Sequence, residues 1–298
     1  MFSISYLLVT KNKLPFIKIV LNELLPQLRE DEEIVVVDGN STDGTKEYLQ
    51  KLFDEGKIHQ YISEPDNNQA HGWNKAMLMA NGVLLKKIMD DDVYDYNTIR
   101  KCRDFMLQYP EIDVCISNCL VSGLANPDKI DFATRLPWFK NWQAGQVSAF
   151  TFSDVYMLIR KSSLSFIGLY DTQFTMMDWE YSLRVSYLNA KIAYYTGCNS
   201  LAVSTPANVT STVNKKLLDH EGNIGILKYN YPGDNVETSL YSHIKIFIGK
   251  FLFRFKIKPA AELSTATRLP AEEDLKKYYT AYYKILKEYN TGTEWEFI

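Results

Sequence analysis

Three consecutive aspartates, Asp90, Asp91 and Asp92, follow an apolar run that ends at Met89. The run, residues 83–89, predicts a short buried strand whose C-terminal end carries the carboxylates, and open α/β sheets bind ligands at that end. Adjacent carboxylates repel each other in a partly desolvated cleft, and a cation removes the repulsion. Oxygen ligands favour Mg²⁺ or Mn²⁺. The triplet therefore predicts a divalent-metal site, and an acidic turn that caps the next helix is the alternative.

Two further aspartates stand at the ends of predicted elements. Asp38 follows an apolar strand over residues 34–37 and precedes Gly39, which allows close backbone approach. Its carboxylate can accept the ring N–H of a nucleobase, or it can simply belong to a turn. Asp178 begins an amphipathic helix predicted over residues 178–188. There it can act as a general base on a hydroxyl, whereas the structural alternative is a helix N-cap.

A polar loop after the third predicted strand offers a further binding surface. Residues 64–68 include Glu64 and Asp66, and Pro65 between them restricts the backbone. This loop suits a face toward a ribose or a sugar, or it is a solvated connection. Lys75 on the following helix can meet a phosphate, although surface lysines are common.

The elements that must position these residues alternate along the first hundred residues, which is typical of α/β proteins. The predicted strands span 4–9, 34–37, 58–63 and 83–89, and the predicted helices span 14–28, 45–53 and 69–80. We predict a Rossmann-like layout with a mixed, mainly parallel sheet flanked by helices, although the GxGxxG fingerprint and the P-loop are absent.

The second half of the chain is predicted to be more irregular and then helical. The predicted order is a helix at 96–109, a strand at 114–118, a loop at 126–145 and a strand at 155–160; after residue 205 come helices at 215–229, 239–255 and 271–289. We therefore divide the chain into an α/β domain, residues 1–205, that carries the site, and a helical C-terminal region, residues 206–298.

Composition narrows the class of protein. The chain has 298 residues, 46% of them hydrophobic and 23% charged, which are ordinary values for a globular protein. A net charge of −3 argues against a dedicated nucleic-acid binder. The four cysteines lack metal-ligand spacing and are typical of free thiols in a reducing compartment. With no signal peptide and no long apolar run, we expect a cytoplasmic protein.

Taken in order, these motifs resemble family 2 glycosyltransferases of the GT-A fold, over residues 3–195. Residues 34–45, with Thr10 on the preceding strand, look like the nucleotide-binding segment of that family. Residues 63–82 are similar to a subgroup that builds bacterial surface polysaccharides. The aspartate triplet matches the DxD metal motif, and residues 155–184 are similar to the part that ends in the catalytic-base helix.

The resemblance implies an inverting transfer of a sugar from a nucleotide-diphosphate-sugar, with a UDP-sugar as the favoured donor. The acceptor would be a hydroxyl of a glycan or a lipid-linked glycan. Asp178 would be the base, Asp90 and Asp92 would bind Mn²⁺ or Mg²⁺, and the nucleotide would be bound by Thr10, Asp38, Glu64, Asp66, Lys75 and Asp91. The metal would neutralise the diphosphate leaving group.

Two departures from the family pattern leave the metal ligands open. Met89 stands where many relatives have a polar or acidic residue, so the frame is either Asp90-x-Asp92 or Asp91-Asp92. Relatives often place a histidine ligand after the last strand, but residues 204–208 contain none. His220 is the nearest candidate, and it lies in a predicted helix.

Two other functions and one surface complete the predictions. A sugar-phosphate nucleotidyltransferase would usually carry a glycine-rich loop after the first strand, and residues 10–14 have lysines but no glycine. A non-catalytic nucleotide- or glycan-binding protein would need to lack Asp92 or Asp178. Residues 240–258 are amphipathic and basic, so they either dock on the α/β domain or contact the inner membrane peripherally.

Overall fold

A computed structural model describes residues 1–205, 215–231, 233 and 270–298. The predicted helix over 239–255 and the candidate membrane surface over 240–258 lie outside these residues. The described strands are β1 Ile4–Thr10, β2 Glu32–Asp38, β3 Gln60–Ser63, β4 Leu84–Ile88, β5 Val93–Tyr94, β6 Val114–Gly123, β7 Asn126–Ala133, β8 Met157–Arg160 and β9 Ile192–Ser204. The described helices are α1 Leu14–Leu24, α2 Thr45–Asp54, α3 Gln69–Met79, α4 Tyr96–Gln108, α5 Leu136–Gln143, α6 Leu164–Ile167, α7 Met177–Tyr187, α8 Lys215–Tyr229 and α9 Glu272–Asn290.

The strands form one mixed sheet in the order β3-β2-β1-β4-β8-β6-β9-β5, with β7 paired to β6. The strands β1 to β4 pair in parallel, and so do β6 and β9. The pairs β4–β8, β6–β8, β6–β7 and β5–β9 are antiparallel. The mixed α/β class is therefore confirmed, and antiparallel pairing extends through the second half of the sheet.

Helices cover both faces of the parallel part of the sheet, which explains the continuous apolar run of β2. Trp73, Ala76 and Met77 of α3 pack on one face. The other face is covered by α1, α2 and α4, with Ile17 and Ile99 among the buried residues. Successive residues of a strand point to opposite faces, so the consecutive apolar residues 34–37 of β2 are buried on both faces of the sheet.

Register aligns the ends of the parallel strands. Thr10, the last residue of β1, lies opposite Asp38, the last residue of β2, and Asp38 lies opposite Ser63, the last residue of β3. On the other side of β1, Leu8 lies opposite Ile88, the last residue of β4. Polar residues that end three strands therefore meet at one edge of the sheet, where β4 also ends just before the aspartate triplet.

The prediction of a loop over residues 126–145 is wrong. These residues form β7, which pairs with β6, and then α5. Most of β7 is exposed, so its sequence lacks the apolar alternation that identifies a half-buried strand. Pro137, which suggests a loop, lies in the first turn of α5, where proline is well tolerated.

The described C-terminal helices agree with prediction, and α9 packs back onto the sheet. Leu275, Tyr279 and Tyr282 of α9 are buried with Leu201 of β9. At the chain end, Ile298 and Tyr194 exchange two backbone hydrogen bonds of 2.8 and 2.9 Å. Across the described ranges, no helix has both the length and the apolar character needed to cross a membrane.

Candidate functional site

Asp38 is held rigidly at the end of β2. It is fully buried. Its carboxylate accepts hydrogen bonds from the Ser41 amide at 3.0 Å, from Ser63 Oγ at 2.6 Å and from the Ser41 hydroxyl. The two serines come from the turn after β2 and from the end of β3, so the register of the sheet fixes the carboxylate. A carboxylate has about four acceptor positions, which leaves capacity for a further N–H donor.

The loop that follows Asp38 is closed by its own polar side chains. Asn40 has a φ of 61° and Gly44 a φ of 93°, both in the left-handed region that Asn and Gly adopt most readily. Asp43 accepts hydrogen bonds from the Thr45 amide at 3.0 Å and from its hydroxyl at 2.6 Å. Asp43 therefore supports the start of α2.

The aspartate triplet lies between β4 and β5, and all three side chains are buried. Each carboxylate has a different partner. Thr10 Oγ1 donates to Asp90 at 2.6 Å, Lys13 Nζ forms an ion pair with Asp91 at 2.9 Å, and the Val203 amide donates to Asp92 at 2.7 Å. The partners come from β1, the loop after it, and β9.

The triplet carries more buried negative charge than its neighbours balance. Burial, reinforced by the neighbouring Asp91 carboxylate, raises the pKa of Asp90 to about 7. The same two causes raise the pKa of Asp92 well above its usual range. Burial lowers the pKa of Lys13, but Asp91 and then Asp90 outweigh it and raise that pKa overall. A divalent cation would favour the ionised carboxylates.

The residues present fit a metal ion that is completed by ligands from outside the chain. Asp90 and Asp92 supply hard oxygen atoms, which suit Mg²⁺ or Mn²⁺. In the ranges that the structure describes, no three His, Cys, Asp or Glu side chains converge as a full metal-binding set. His220 is partly buried on α8.

Three other predicted residues come together beside β3. Lys75 Nζ lies 2.6 Å from Asp66 Oδ1 and 2.7 Å from Glu64 Oε1. Burial lowers the pKa of Lys75, but hydrogen bonds to Asp66 and Glu64 outweigh it and raise the pKa overall. The ammonium group therefore ties α3 to the polar loop in this structure.

Asp178 lies in the first turn of α7 and borders a cavity of about 590 Å³. Five of its fifteen lining residues are aromatic, among them Trp138, Tyr156 and Trp179, and Arg135 also lines it. Burial, and then the charge of Asp154, raises the pKa of Asp178 to about 6, while Lys87 opposes the shift. Such a carboxylate is ionised at neutral pH and accepts a proton more readily than an exposed aspartate.

The N-cap alternative for Asp178 does not hold, because the N-cap is Met176 and no side chain of α7 caps it. Glu221 of α8 holds the two residues that precede α7, since its carboxylate accepts hydrogen bonds from the amides of Thr175 and Met176 at 2.8 Å each. Glu180, fully buried, pairs with Arg184 at 2.6 Å and accepts the hydroxyl of Tyr229. Two side chains of α8, Glu221 and Tyr229, thus support the helix that carries Asp178.

Sequence reasoning missed a buried ion pair near Asp178. Lys87 of β4 pairs with Asp154, which also accepts the Tyr170 hydroxyl at 2.8 Å. Lys87 Nζ lies 4.3 Å from the centre of the Trp73 ring. The signal in the sequence was the pair of lysines inside an apolar strand, since lysine is seldom buried without a partner. Arg135 and Trp138 were not singled out individually, because their segment was predicted as a loop.

Neighbouring residues of β9 connect the triplet to the cavity. Ala202 lines the cavity, and the next residue, Val203, holds Asp92 through its amide. Cys119 of β6, which lies opposite Ser200 of β9, also lines the cavity. The aspartate triplet and Asp178 therefore border the same stretch of the sheet.

Comparison with known proteins places this arrangement in a family. The family model "Glycosyl transferase family 2" matches residues 5–168 of the 298, which is more than half of the chain. The match contains the triplet and ends before α7.

Two curated relatives are similar over part of the chain. The poly-beta-1,6-N-acetyl-D-glucosamine synthase of Staphylococcus aureus is 21% identical over 195 residues, which cover 64% of this chain and 47% of that protein. The putative teichuronic acid biosynthesis glycosyltransferase TuaG of Bacillus subtilis is 29% identical over 107 residues, which cover 35% and 42%. This chain spans less than half the length of either relative.

Solved structures share the fold. S. aureus TarS 1-349 in complex with UDP-GlcNAc superposes with a TM-score of 0.60 at 18% identity, covering 85% of this chain and 73% of that one. The mannosyltransferase PcManGT from Pyrobaculum calidifontis, in complex with GDP-Man and Mn²⁺, gives 0.50 at 14% identity, covering 98% and 76%. This likeness supports the GT-A fold, and the match to the family model shows that the chain belongs to glycosyl transferase family 2.

Proposed function

We propose that this protein is an inverting, metal-dependent glycosyltransferase of surface-polysaccharide biosynthesis. It would move a sugar from a nucleotide-diphosphate-sugar, a UDP-sugar in the favoured case, to a hydroxyl of a glycan or lipid-linked glycan. One observation carries the proposal: the buried aspartate triplet and Asp178 lie near consecutive residues of β9, because the Val203 amide holds Asp92 and Ala202 lines the cavity that Asp178 borders.

The donor side is assigned to the aligned strand ends. Asp38 would accept the ring N–H of the base, and Thr10 lies beside it in register. Glu64, Asp66 and Lys75 would face the ribose and phosphates, and Lys75 would exchange part of its pairing with the two carboxylates for a phosphate. Asp91, held by Lys13, would complete the nucleotide side. The UDP-GlcNAc bound to TarS supports a UDP-sugar, and the GDP-Man bound to the mannosyltransferase makes a GDP-sugar the next donor to test.

The metal would be held by Asp90 and Asp92, with donor phosphate oxygens as further ligands. When bound, Mn²⁺ or Mg²⁺ would stabilise the negative charge that develops on the departing diphosphate. The Mn²⁺ in the mannosyltransferase complex supports this assignment. Residues of this chain would orient the two ligands: Thr10 donates a hydrogen bond to Asp90, and the Val203 amide donates one to Asp92.

The acceptor side is assigned to the cavity. Asp178 would take the proton of the acceptor hydroxyl. At the same time the hydroxyl oxygen would bond to the anomeric carbon of the donor sugar, and the bond between that carbon and the diphosphate would break. Attack from the face opposite the leaving group inverts the anomeric configuration. The aromatic side chains in the cavity wall suit the apolar faces of sugar rings, as aromatic side chains do in many binding sites.

A lipid-linked acceptor would make contact of the protein with the membrane surface useful. We propose a cytoplasmic protein with peripheral membrane contact through residues 240–258, outside the described ranges. Flotation with vesicles rich in anionic lipid tests the contact. Recovery of the protein only in the unbound fraction would refute it.

A transfer assay tests the proposal as a whole. The protein is incubated with a UDP-sugar or a GDP-sugar, Mn²⁺ and a mixture of lipid-linked glycans, and release of free nucleotide diphosphate is followed by chromatography. We expect release that depends on both acceptor and metal, and a product whose anomeric proton shows inverted configuration by NMR. Retained configuration would refute the inverting mechanism.

A further inference from the structure

The C-terminal helix α9 reaches the metal-site loop, although it lies far outside the residues that match the family model. The hydroxyl of Tyr279 donates a hydrogen bond to the backbone carbonyl oxygen of Asp91 at 2.5 Å. Tyr279 is fully buried. The accepting carbonyl belongs to the middle residue of the triplet, between the two proposed metal ligands.

Asp91 is held at both ends by a connected group of side chains. Its carboxylate pairs with Lys13, whose Nζ lies 5.1 Å from the centre of the Phe16 ring. Phe16 packs edge-to-face against Tyr279 with ring centres 6.1 Å apart. Asp91 is therefore held by a connected group of residues from the loop after β1, from α1 and from α9.

We propose that Tyr279 is a positioning residue for the metal and donor end of the site, which makes α9 part of that site. The inference rests on the proposed function. The peptide that follows Asp91 links it to Asp92, so rotation of that peptide turns the Asp92 carboxylate relative to Asp90. The hydrogen bond from Tyr279 fixes this peptide, and without it the buried carbonyl oxygen loses its partner.

A second tyrosine on the same helix provides a matched control. Tyr282 is also buried, and its hydroxyl contacts Ser122 Oγ at 3.1 Å. Tyr279→Phe and Tyr282→Phe therefore each remove one hydroxyl and one hydrogen bond from the same helix. Only the first change removes a bond to the triplet.

The test measures hydrogen–deuterium exchange in peptides covering residues 89–94, and the affinity for Mn²⁺ in the presence of UDP by electron paramagnetic resonance. In Tyr279→Phe we expect exchange in these peptides to be roughly fivefold faster, and Mn²⁺ affinity roughly fivefold weaker, than in the wild-type protein. In Tyr282→Phe both should match the wild type, while thermal unfolding shifts similarly in the two variants.

Equal exchange in both variants would overturn the role of Tyr279. The exchange comparison needs no metal, so it decides this role independently. A wild-type protein that binds no Mn²⁺ in the presence of UDP would instead contradict the metal-dependent function proposed above.

Discussion

Two aspartates of the site differ in what surrounds their carboxylates, and this difference suits them to different tasks. Asp38 accepts hydrogen bonds from two serines, which fix its position for recognition. Asp178 borders a cavity, and burial and the charge of Asp154 make its carboxylate easier to protonate. A fixed acceptor suits binding, and a carboxylate with a raised pKa suits proton transfer.

Replacement of Asp178 by asparagine should separate binding from turnover. The amide keeps the size of the side chain but cannot accept the acceptor proton. We expect kcat to fall by roughly 10²–10⁴, with donor affinity nearly unchanged, as is usual when a general base is lost. Steady-state kinetics and titration calorimetry measure the two quantities, and near-normal turnover in Asp178→Asn would show that another residue is the base.

The pH dependence of turnover should report the same carboxylate. Asp178 must be ionised to accept a proton, and its pKa is raised to about 6, so kcat should rise with pH through about 6. Asp154→Asn removes a negative charge and leaves Lys87 without its partner, and both changes favour the ionised form of Asp178. The acid limb of the kcat profile should therefore move to lower pH in Asp154→Asn.

An acid limb that stays in place in that variant would contradict the assignment of Asp178. Circular dichroism checks that the fold survives, because Asp154 is buried in an ion pair.

At the scale of elements, helix α8 supports the helix that carries Asp178, the proposed base. Glu221 accepts hydrogen bonds from the two amides just before α7, and the ring of Trp179 lies directly against Gly225. Trp179 also lines the cavity beside Asp178. A side chain at position 225 would therefore press on Trp179 and change the shape of the cavity.

Two glycines on α8 allow a controlled test of this contact. A Cβ at Gly225 would overlap the Trp179 ring, whereas a Cβ at Gly222 would meet open space. We expect Gly225→Ala to destabilise the protein by about 1–3 kcal/mol and to raise the KM for acceptor. Gly222→Ala should be neutral or stabilising by up to about 1 kcal/mol, since alanine favours helix.

Thermal unfolding and acceptor kinetics distinguish the two variants. If Gly225→Ala behaved like Gly222→Ala in both measurements, α8 would have no part in shaping the cavity.

Elements with a strong local pattern could be predicted from the sequence. The apolar runs before Asp38 and Asp90 identified β2 and β4, the two parallel strands that flank β1, and α8 was predicted with its observed bounds. The strand β7 could not be found because an exposed strand carries no apolar alternation. The pair Lys87–Asp154 and the contact between Tyr279 and Asp91 join residues 67 and 188 positions apart, and no local periodicity reports such pairings.

At the scale of the whole molecule, the site depends on segments from both ends of the chain. Residues near the N-terminus, Thr10 and Lys13, hold the triplet from one side, and α9 holds it from another. The last residue, Ile298, pairs with β9. Residues 1–205 and the helix α9 therefore act together on the proposed metal site.

The central claim is that a nucleotide binds this chain through a metal held by the triplet. Calorimetric titration of UDP, with Mn²⁺ and with a chelator, tests it most directly in the wild-type protein, in Asp92→Ala and in the control Asp104→Ala, whose side chain is exposed. We predict Mn²⁺-dependent binding of UDP by the wild type and the control, and loss of that dependence in Asp92→Ala. Binding of UDP that is equally strong with the chelator, and unchanged by Asp92→Ala, would contradict the claim.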